Sequence, residues 1–453
     1  MSSNQALHEA VDWRNGRIAA GVNFDEQLYR TERRKVFDRA WLVVGHEQMI
    51  PRPGDYVSSY MGEVPVIVVR DSGSQVRVLV NRCPHRGNQI CVHDRGKTKG
   101  FTCSYHGWSF SLDGTLVGAP MEKALYGREL DKAQWSVERV KNVASFHGLI
   151  FASFDPDAPP LEQWLDEDTR WWLENFVLAL PLGGLEVLHG FHRNSAKGNW
   201  KIVAENFIGD NYHFFAATHH SYFSAVSAFQ NAGELIPIVT YPDVARAGVT
   251  LRELSCGGNG RATVLGLGLV SIEDDVLHEQ DLADAKRLGR EAVEWVEYRH
   301  RRLSEVLADR PRKPFGFMNG LLFPNLGLMG NYSPMLGRHF HLFHPRGVLE
   351  HESWQWTMVE KDAPQSVKDI AVQRVYQGQY MAGLLAPDDI ENFERIVDAG
   401  RPERSWSRPM NYGLQLDREV EGESGLPGRL GPNPNEMNQR QFYRCWLQMM
   451  EAA

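Results

Sequence analysis

The 453-residue chain has few cysteines, no long apolar run and no strong excess of charge of either sign. Its five cysteines are an odd and sparse set, which disfavours a disulfide framework. No run of about 18 apolar residues is present, so no membrane span is predicted. The net charge of −8 disfavours a dedicated binder of nucleic acid or of anionic membranes.

Targeting and nucleotide-binding motifs are also missing from the sequence. Residues 1–13 contain no basic segment followed by an apolar run, and we therefore expect a cytoplasmic protein. There is no GxxxxGK[ST] loop, and Gly266-Leu267-Gly268 falls short of a GxGxxG motif. The sequence therefore predicts neither a flavin domain nor a nicotinamide domain.

Local patterns divide the chain into two parts. Residues 24–41 have helical spacing, whereas residues 54–154 contain short β-rich runs separated by turn residues. A linker-like segment follows at residues 155–160, after which helical and strand patterns alternate. We predict helices at 199–217, at 279–308 and after Asp362, and strands at 336–345 and 352–360. A small antiparallel β domain followed by a larger α+β domain is the expected organisation.

Two cysteine–histidine pairs mark the β-rich part. They are Cys83-Pro84-His85 and Cys103-Ser104-Tyr105-His106, and each follows a β-run, so each is expected at a hairpin tip. Two thiolates and two imidazoles suit zinc or a [2Fe–2S] cluster. Because each loop offers one cysteine and one histidine, the order favours a Rieske cluster, in which one iron takes both thiolates and the other both imidazoles. A structural zinc site is the alternative.

The residues around these pairs have simpler expected roles. Gly87 and Gly107 would let backbone N–H groups approach the cluster, and the Tyr105 hydroxyl would donate to a sulfur. The other cysteines have no paired histidine at ligand spacing in a second loop and are interpreted as structural thiols; they are Cys91, Cys256 and Cys445.

A second histidine-rich segment lies in the α+β part. On a continuous helix, Asn206, Asp210 and His213 would share one face. Two imidazoles and one carboxylate form the facial triad of non-haem Fe(II) oxygenases. A second histidine, His219 or His220, reaches the same ion only if the helix breaks near residues 216–217. The carboxylate is expected from the segment 388–392, which begins Asp388-Asp389.

Together the two groups resemble the large (α) subunit of bacterial Rieske-type non-haem iron aromatic-ring-hydroxylating dioxygenases. The resemblance runs from about Asn23 to the C-terminus and includes the Asn-Trp-Lys…Glu-Asn-Phe…Gly-Asp-x-Tyr-His stretch of residues 199–213. It implies Cys83, His85, Cys103 and His106 as cluster ligands and His213, His219 and Asp389 as iron ligands. It also implies that Asp210 bridges His213 and a cluster histidine, His106, of a neighbouring subunit, and that Asn206 lies close to the iron.

The same resemblance implies a fold and domain limits. The fold class is α+β, with an antiparallel β Rieske [2Fe–2S] domain and a helix-grip catalytic domain of antiparallel sheet and helices. The expected limits are 1–37 for an N-terminal helical segment of the catalytic domain, 38–158 for the Rieske domain and 159–453 for the catalytic domain. Substrate-pocket candidates are Phe207, Phe214, Met318, Phe323 and Leu385. No arginine is obviously placed for a substrate carboxylate, with Arg338 and Arg374 left open.

The implied activity is that of a terminal oxygenase component. It would dihydroxylate an aromatic ring with O2 to a cis-dihydrodiol, using electrons passed from the Rieske cluster to a mononuclear Fe(II). Implied partners are a ferredoxin and/or an NAD(P)H-dependent reductase, a small β subunit, and further α subunits in an α3 or α3β3 assembly. Two alternatives remain: a Rieske monooxygenase or demethylase acting on an aromatic or polycyclic substrate, and a Rieske electron carrier without oxygenase activity. The large second domain disfavours the carrier.

Overall fold

The structure is a computed structural model that describes residues 4–188, 191–216, 218–219, 249–257, 264–272, 276–308, 314–330, 333–378, 380, 383–421, 426–432 and 434–452. The chain forms two compact units, one of residues 32–161 and one of residues 1–31 with 162–453. None of the described helices is long and apolar enough to cross a membrane.

The described helices are α1 (Asn4–Ala10), α2 (Glu26–Glu32), α3 (Glu122–Tyr126), α4 (Leu161–Trp164), α5 (Glu167–Trp172), α6 (Trp200–Phe207), α7 (Asn211–Ala216), α8 (Val276–Leu288), α9 (Arg290–Val306), α10 (Gln365–Gly378), α11 (Ala386–Gly400) and α12 (Met437–Glu451). The described strands are β1 (Val11–Asp12), β2 (Arg17–Ala19), β3 (Leu42–His46), β4 (Asp55–Met61), β5 (Val64–Arg70), β6 (Val76–Val80), β7 (Arg95–Lys97), β8 (Phe101–Thr102), β9 (Ser109–Phe110), β10 (Leu116–Gly118), β11 (Asn142–Phe146), β12 (Leu149–Ser153), β13 (Leu185–Val187), β14 (His192–Lys197), β15 (Val249–Gly257), β16 (Val264–Ile272), β17 (Pro314–Leu322), β18 (Leu326–Met329), β19 (Arg338–Pro345), β20 (Glu350–Glu360), β21 (Pro409–Asn411), β22 (Val420–Glu421) and β23 (Arg429–Pro432).

The unit of residues 32–161 consists of small antiparallel sheets. Their strand orders are β6-β5-β4-β7, β11-β12-β3 and β10-β9-β8. The turn between β5 and β6 forms because Asp71 Oδ1 accepts hydrogen bonds from the N–H groups of Gly73 (2.8 Å) and Gln75 (2.9 Å). The core of this unit includes Ile67, Leu79 and Trp108, each less than 5 % exposed. The predicted β-rich character of this part is confirmed.

The second unit is built around a large antiparallel sheet. Its described strands run in the order β13-β20-β19-β18-β17-β16-β15-β23-β22, and β14 also pairs with β20. The strands predicted at 336–345 and 352–360 are β19 and β20, and the helix predicted after Asp362 is α10. The run predicted as one helix at 279–308 is two helices, α8 and α9, because Gly289 (φ 112°) interrupts it. The α+β class with antiparallel sheets is confirmed.

The prediction of one helix over 199–217 is wrong. Helix α6 ends at Phe207, the Gly209 N–H donates to the Phe207 carbonyl (2.7 Å), and α7 begins at Asn211. Gly209 has a φ of 109°, and a Cβ there would lie 2.7 Å from Asn438 Nδ2. Asn206, Asp210 and His213 therefore do not lie on one continuous helix. The expected break near residues 216–217 is present, because α7 ends at Ala216.

Candidate metal centres

The two cysteine–histidine loops share one hydrogen-bond pattern. In each, the cysteine N–H donates to the carbonyl five residues later, and the glycine four residues after the cysteine donates back to the cysteine carbonyl. The bonds are Cys83 N to Asn88 O (2.8 Å) and Gly87 N to Cys83 O (2.9 Å) in the first loop, and Cys103 N to Trp108 O (2.8 Å) and Gly107 N to Cys103 O (2.9 Å) in the second. Gly87 and Gly107 have φ values of 75° and 71°. These values lie in the left-handed region, where the backbone of a residue with a side chain would be strained.

The loops differ in how strands support them. The second loop is a hairpin tip, because it joins the paired strands β8 and β9. The first loop follows β6, but β5 and β4 separate β6 from β7 in the sheet. The predicted hairpin is therefore wrong for the first loop, which its own hydrogen bonds close instead.

The two thiols are buried side by side and surrounded by donors. Cys83 and Cys103 are each 2 % exposed and contact each other. Burial raises the pKa of Cys83, although the His85 and Arg86 N–H groups oppose this rise. At Cys103 burial also acts to raise the pKa, but the Tyr105 N–H and the Asn88 amide outweigh it, so the pKa is lowered. Donors aimed at sulfur favour the thiolate that metals bind.

Asn88, rather than Tyr105, supplies the side-chain donor to a sulfur. Asn88 Nδ2 lies 3.5 Å from Cys103 Sγ. The Tyr105 side chain is 59 % exposed, its ring lies against His106 (3.8 Å between centroids), and its hydroxyl bonds to no sulfur among the described residues. Donation from Tyr105 to a cluster sulfur stays a prediction, and Asn88 carried no motif that would have identified it.

The two imidazoles also form a pair. The His85 and His106 ring centroids are 4.5 Å apart, and the His85 ring stacks on Trp108 at 5.0 Å. His85 Nδ1 is buried and has no hydrogen-bond partner among the described residues. A buried ring nitrogen without a partner is costly unless a ligand occupies its lone pair. His85 is therefore suited to hold a metal.

The spread of these four ligands argues against a single ion. Among the described residues, three His, Cys, Asp or Glu side chains were found whose ligand atoms all lie within 4.8 Å of one another. None of these three side chains is Cys83, His85, Cys103 or His106. In tetrahedral zinc the ligand atoms would lie closer than that. A thiolate pair beside an imidazole pair fits the two irons of a Rieske cluster.

The group that does converge is His213, His219 and Asp389. Asp389 Oδ1 lies 3.4 Å from His213 Nε2 and 3.4 Å from His219 Nε2. His213 lies on α7, His219 just beyond its end, and Asp389 in the first turn of α11. Two imidazoles and one carboxylate around one point fit a facial triad that leaves positions open. His220 lies outside the described residues.

A further carboxylate faces the outer nitrogen of each histidine ring. His213 Nδ1 is 3.2 Å from Asp210 Oδ2, and His219 Nδ1 is 3.5 Å from Asp388 Oδ2. Such carboxylates fix the tautomer and orientation of a metal-binding imidazole. No role for Asp388 was predictable, because nothing in the Asp388-Asp389 sequence shows which carboxylate faces which histidine.

Neighbouring amides complete the arrangement. Asn206 Nδ2 lies 3.4 Å from His213 Nε2, so the structure brings Asn206 to the same point as the triad. Asn392, one turn after Asp388, donates to Thr218 Oγ1 (3.4 Å) and ties α11 to the segment that carries His219.

The pKa values of the three triad residues bear on whether they can hold a cation. Burial raises the pKa of Asp389 to about 6, and Asp210 and Asp388 add to the rise. Burial lowers the pKa of His219 to about 4, so its imidazole is neutral at pH 7. At His213 burial lowers the pKa, but Asp210 and Asp389 raise it by more. A divalent cation would stabilise the ionised Asp389 and the neutral rings, so these residues fit a bound Fe(II).

The pocket candidates separate in the structure. The Phe207 ring lies against His341 (4.6 Å) and Phe343 (5.0 Å). Leu385 is buried immediately before α11. Phe323 packs on Trp200 (6.2 Å) and Phe442 (5.4 Å), as a core residue does. Phe214 lies on α7 and Met318 on β17, but their side chains are outside the described part of the chain.

Neither arginine left open for a substrate carboxylate is available. Arg338 pairs with Glu360 (3.4 Å), and Arg374 pairs with Asp284 (3.0 Å). Both arginines and both carboxylates are buried. The described residues thus give these cations partners within the protein.

Comparisons with known proteins agree with both metal centres. Residues 40–143 match the family model of the Rieske [2Fe-2S] domain, and residues 185–452 match that of the ring hydroxylating alpha subunit (catalytic domain). The chain is 33 % identical to the chlorobenzene dioxygenase subunit alpha of Cupriavidus sp. (strain PS12), with 99 % of this chain and 94 % of that protein covered. It is 31 % identical to the biphenyl dioxygenase subunit alpha of Paraburkholderia xenovorans (strain LB400), with 98 % and 93 % covered. Among solved structures, naphthalene 1,2-dioxygenase from Rhodococcus sp. bound to indole is similar with a TM-score of 0.78 and 29 % identity over the full length of both chains.

Proposed function

The chain belongs to the family of ring-hydroxylating oxygenase α subunits, and from this premise we propose that it is a terminal oxygenase that converts an aromatic ring and O2 to a cis-dihydrodiol. The observation that carries the proposal is the convergence of His213, His219 and Asp389 within 4.8 Å in a chain that also has a Rieske domain. The named relatives act as dioxygenases, which favours dihydroxylation over monohydroxylation or demethylation.

The cofactors are a Rieske [2Fe–2S] cluster and a mononuclear iron. Under the proposal, Cys83, His85, Cys103 and His106 hold the cluster, and His213, His219 and Asp389 hold the iron. When bound, the cluster supplies single electrons and the iron supplies the activation of O2.

The surrounding residues have positioning roles. Asp210 Oδ2 and Asp388 Oδ2 lie 3.2 and 3.5 Å from the outer nitrogens of His213 and His219, where each carboxylate would hold the ring so that its inner nitrogen stays free for the metal. Asn206 holds a polar amide beside His213 Nε2, one of the ligand atoms of the triad. In an assembly, Asp210 would also accept from His106 of a neighbouring subunit and so join the two centres.

The proposal includes the finer points that the resemblance implies. Electrons would come from a ferredoxin and/or an NAD(P)H-dependent reductase, and α subunits would assemble as α3 or, with a small β subunit, as α3β3. The limits 1–37, 38–158 and 159–453, the cytoplasmic location, and Phe207, Phe214, Met318, Phe323 and Leu385 as pocket residues remain predictions. The contacts of Phe207 favour it, whereas those of Phe323 do not.

Turnover with isotopically labelled O2 tests the activity. The purified protein is supplied with a compatible ferredoxin and reductase and with a panel of aromatic compounds. We expect a cis-dihydrodiol with two labelled oxygens on adjacent carbons. A product with one labelled oxygen would contradict dihydroxylation and favour the monooxygenase alternative, and no labelled product from any compound would favour the electron carrier.

A further inference from the structure

The large sheet carries two rows of polar side chains on the face that α6 covers. Directly paired residues of neighbouring strands share a face. One row is His341, Gln355 and His192, on β19, β20 and β14. The other is Asn319, His339 and Thr357, on β17, β19 and β20, with Met329 of β18 between Asn319 and His339. A pocket for a plain hydrocarbon needs an apolar floor, and these rows are not apolar.

Both rows start beside the residues proposed to hold iron. The Phe207 ring lies 4.6 Å from His341, and Phe207 directly follows Asn206, whose amide is 3.4 Å from His213 Nε2. In the other row, Asn319 Nδ2 lies 3.5 Å from the carbonyl oxygen of Asp210. The polar face therefore extends from the iron site along the sheet.

The histidines and hydroxyls in these rows are linked and uncharged. His339 Nδ1 lies 2.6 Å from His341 Nε2, so one ring donates to the other, and His341 Nδ1 lies 3.1 Å from Ser353 Oγ. Burial lowers the pKa of His339 to about 3, so the pair is neutral at pH 7. The Thr357 hydroxyl is hydrogen-bonded to the Tyr380 hydroxyl.

Two members of the rows have an amide oxygen with no hydrogen-bond partner among the described residues, Gln355 Oε1 and Asn319 Oδ1. Asn319 lies beside Asp210 at the iron end of its row, whereas Gln355, which is 3 % exposed, lies on β20, three strands away from β17. Burying an amide oxygen without a donor is costly, and native proteins rarely do so without a ligand or water to fill the position. The chemical group that satisfies Gln355 Oε1 is a donor, namely O–H or N–H.

The lack of a cation on the polar face disfavours a substrate that carries an anionic substituent. No residue of the two rows carries a charge, and Arg338, next to His339 in the strand, points to the opposite face and pairs with Glu360. A carboxylate placed on the polar face would meet no cation there. A desolvated, unpaired charge is far more costly than a neutral polar group.

We propose that the site selects uncharged aromatic compounds that carry a hydrogen-bond donor, a hydroxyl or N–H group, and that Gln355 receives this donor. This inference rests on the proposed function, because it takes the iron site as the place where the ring is held. Gln355 is then a specificity residue at the far end of the substrate from the iron.

Matched pairs of compounds test the inference. Calorimetric binding to the iron-loaded holoenzyme is compared for phenol against toluene and for 1-naphthol against 1-methylnaphthalene, with 1-naphthoate as the anionic probe. In each pair a methyl group replaces a hydroxyl of similar size. We expect the hydroxyl compound to bind about tenfold more tightly, although water solvates it better, and the naphthoate to bind most weakly. Equal or tighter binding of the methyl compounds would overturn the inference.

Two variants and one control assign the effect to the polar face. Gln355→Met keeps length and removes the acceptor, so the hydroxyl preference should disappear. Thr357→Val, which keeps shape, should reduce the preference and serves if Gln355→Met does not fold. Gln448→Met is the control, since Gln448 Oε1 on α12 is also buried without a partner among the described residues. It should leave the preference unchanged, and an unchanged preference in Gln355→Met would contradict the assignment.

The outcomes for the two proposals are separable. A hydroxyl preference in binding without any dihydrodiol product would refute the proposed function and leave the selectivity intact. Dihydrodiol formation from toluene and methylnaphthalene, together with weaker binding of the hydroxyl compounds, would support the function and refute the selectivity.

Discussion

Replacing Asp210 with Asn should weaken iron binding while leaving the Rieske cluster unaffected. Asp210 Oδ1 accepts from the backbone N–H groups of Tyr212 (3.1 Å) and His213 (3.3 Å), at the start of α7. Its Oδ2 lies 3.2 Å from His213 Nδ1. Asn keeps one oxygen for the helix N–H groups but places an NH2 group opposite His213 Nδ1, so the imidazole loses its acceptor.

The size of the effect follows from these contacts. Loss of the carboxylate behind a metal-binding imidazole costs about 10- to 100-fold in metal affinity, or roughly 1.4–2.7 kcal/mol. Asp210→Ala also removes the helix cap and should destabilise the fold by about 1 kcal/mol more. Asp388→Asn removes the equivalent contact of His219, which is longer at 3.5 Å, and we expect a smaller loss.

Chelator competition gives the dissociation constant of the mononuclear iron in each variant. The visible absorption of the cluster is the internal control and should match wild type. The exposed Asp369→Asn on α10 is the matched control and should bind iron as wild type does. Even when it is fully loaded with iron, Asp210→Asn should turn over more slowly than wild type, because the proposed bridge to His106 of a neighbouring subunit is weakened. Wild-type affinity and turnover in Asp210→Asn would refute both roles.

Four other substitutions probe the second unit and the cluster. Burial raises the pKa of Asp281 from 3.8 to about 7. Between these two pH values the folded state holds a proton that the unfolded state has released. The contribution of Asp281 to stability is therefore lost as the pH rises from about 4 through 7. Asp281→Asn should remove up to about 4 kcal/mol of this decline in the free energy of unfolding between about pH 4 and 7, and an unchanged pH profile in denaturant titrations would contradict it. Arg299→Met strips a buried partner from Glu360 (2.9 Å) and should cost about 3–5 kcal/mol in the same assay, whereas a loss below about 1 kcal/mol would show that the pair matters little. Cys91→Ser should retain the cluster spectrum and Cys103→Ser should lose it. Loss of the spectrum in Cys91→Ser and its retention in Cys103→Ser would show that the cluster ligands are assigned to the wrong thiols.

The cluster loops were predictable from the sequence because their ligands lie close together in the chain. A cysteine and a histidine two or three residues apart can face one metal centre with only a tight turn between them, and a glycine permits that turn. The equal hydrogen-bond patterns at Cys83 and Cys103 show this local origin. The donor from Asn88 was not predictable, since it depends on how the two loops face each other.

The iron site was predictable only in part. Spacing indicated a helix break after His213, but Asp389 followed from the family resemblance rather than from any local pattern. The break at Gly209 was missed, because it depends on how closely Gly268 and Asn438 pack there, and these residues are distant in sequence. The facing of Asp388 towards His219 likewise depends on the packing of α11.

The polar face of the sheet illustrates a different limit. Residues 336–345 and 352–360 were predicted as strands, but a strand prediction does not show which face meets the iron site. The pocket candidates followed from the family resemblance, and they include none of the polar residues in the two rows. The registers of β14, β19 and β20 bring His192, Gln355 and His341 together, and a register is set by long-range pairing.

The iron content of wild type and of Asp389→Ala distinguishes a chain with two metal centres from one that holds the cluster alone. We expect three irons per wild-type chain, two in the cluster and one at His213, His219 and Asp389. In the variant we expect two irons, with the cluster absorption unchanged and dihydrodiol formation abolished. Two irons in the active wild-type protein, or three in a variant that still turns over, would contradict this expectation.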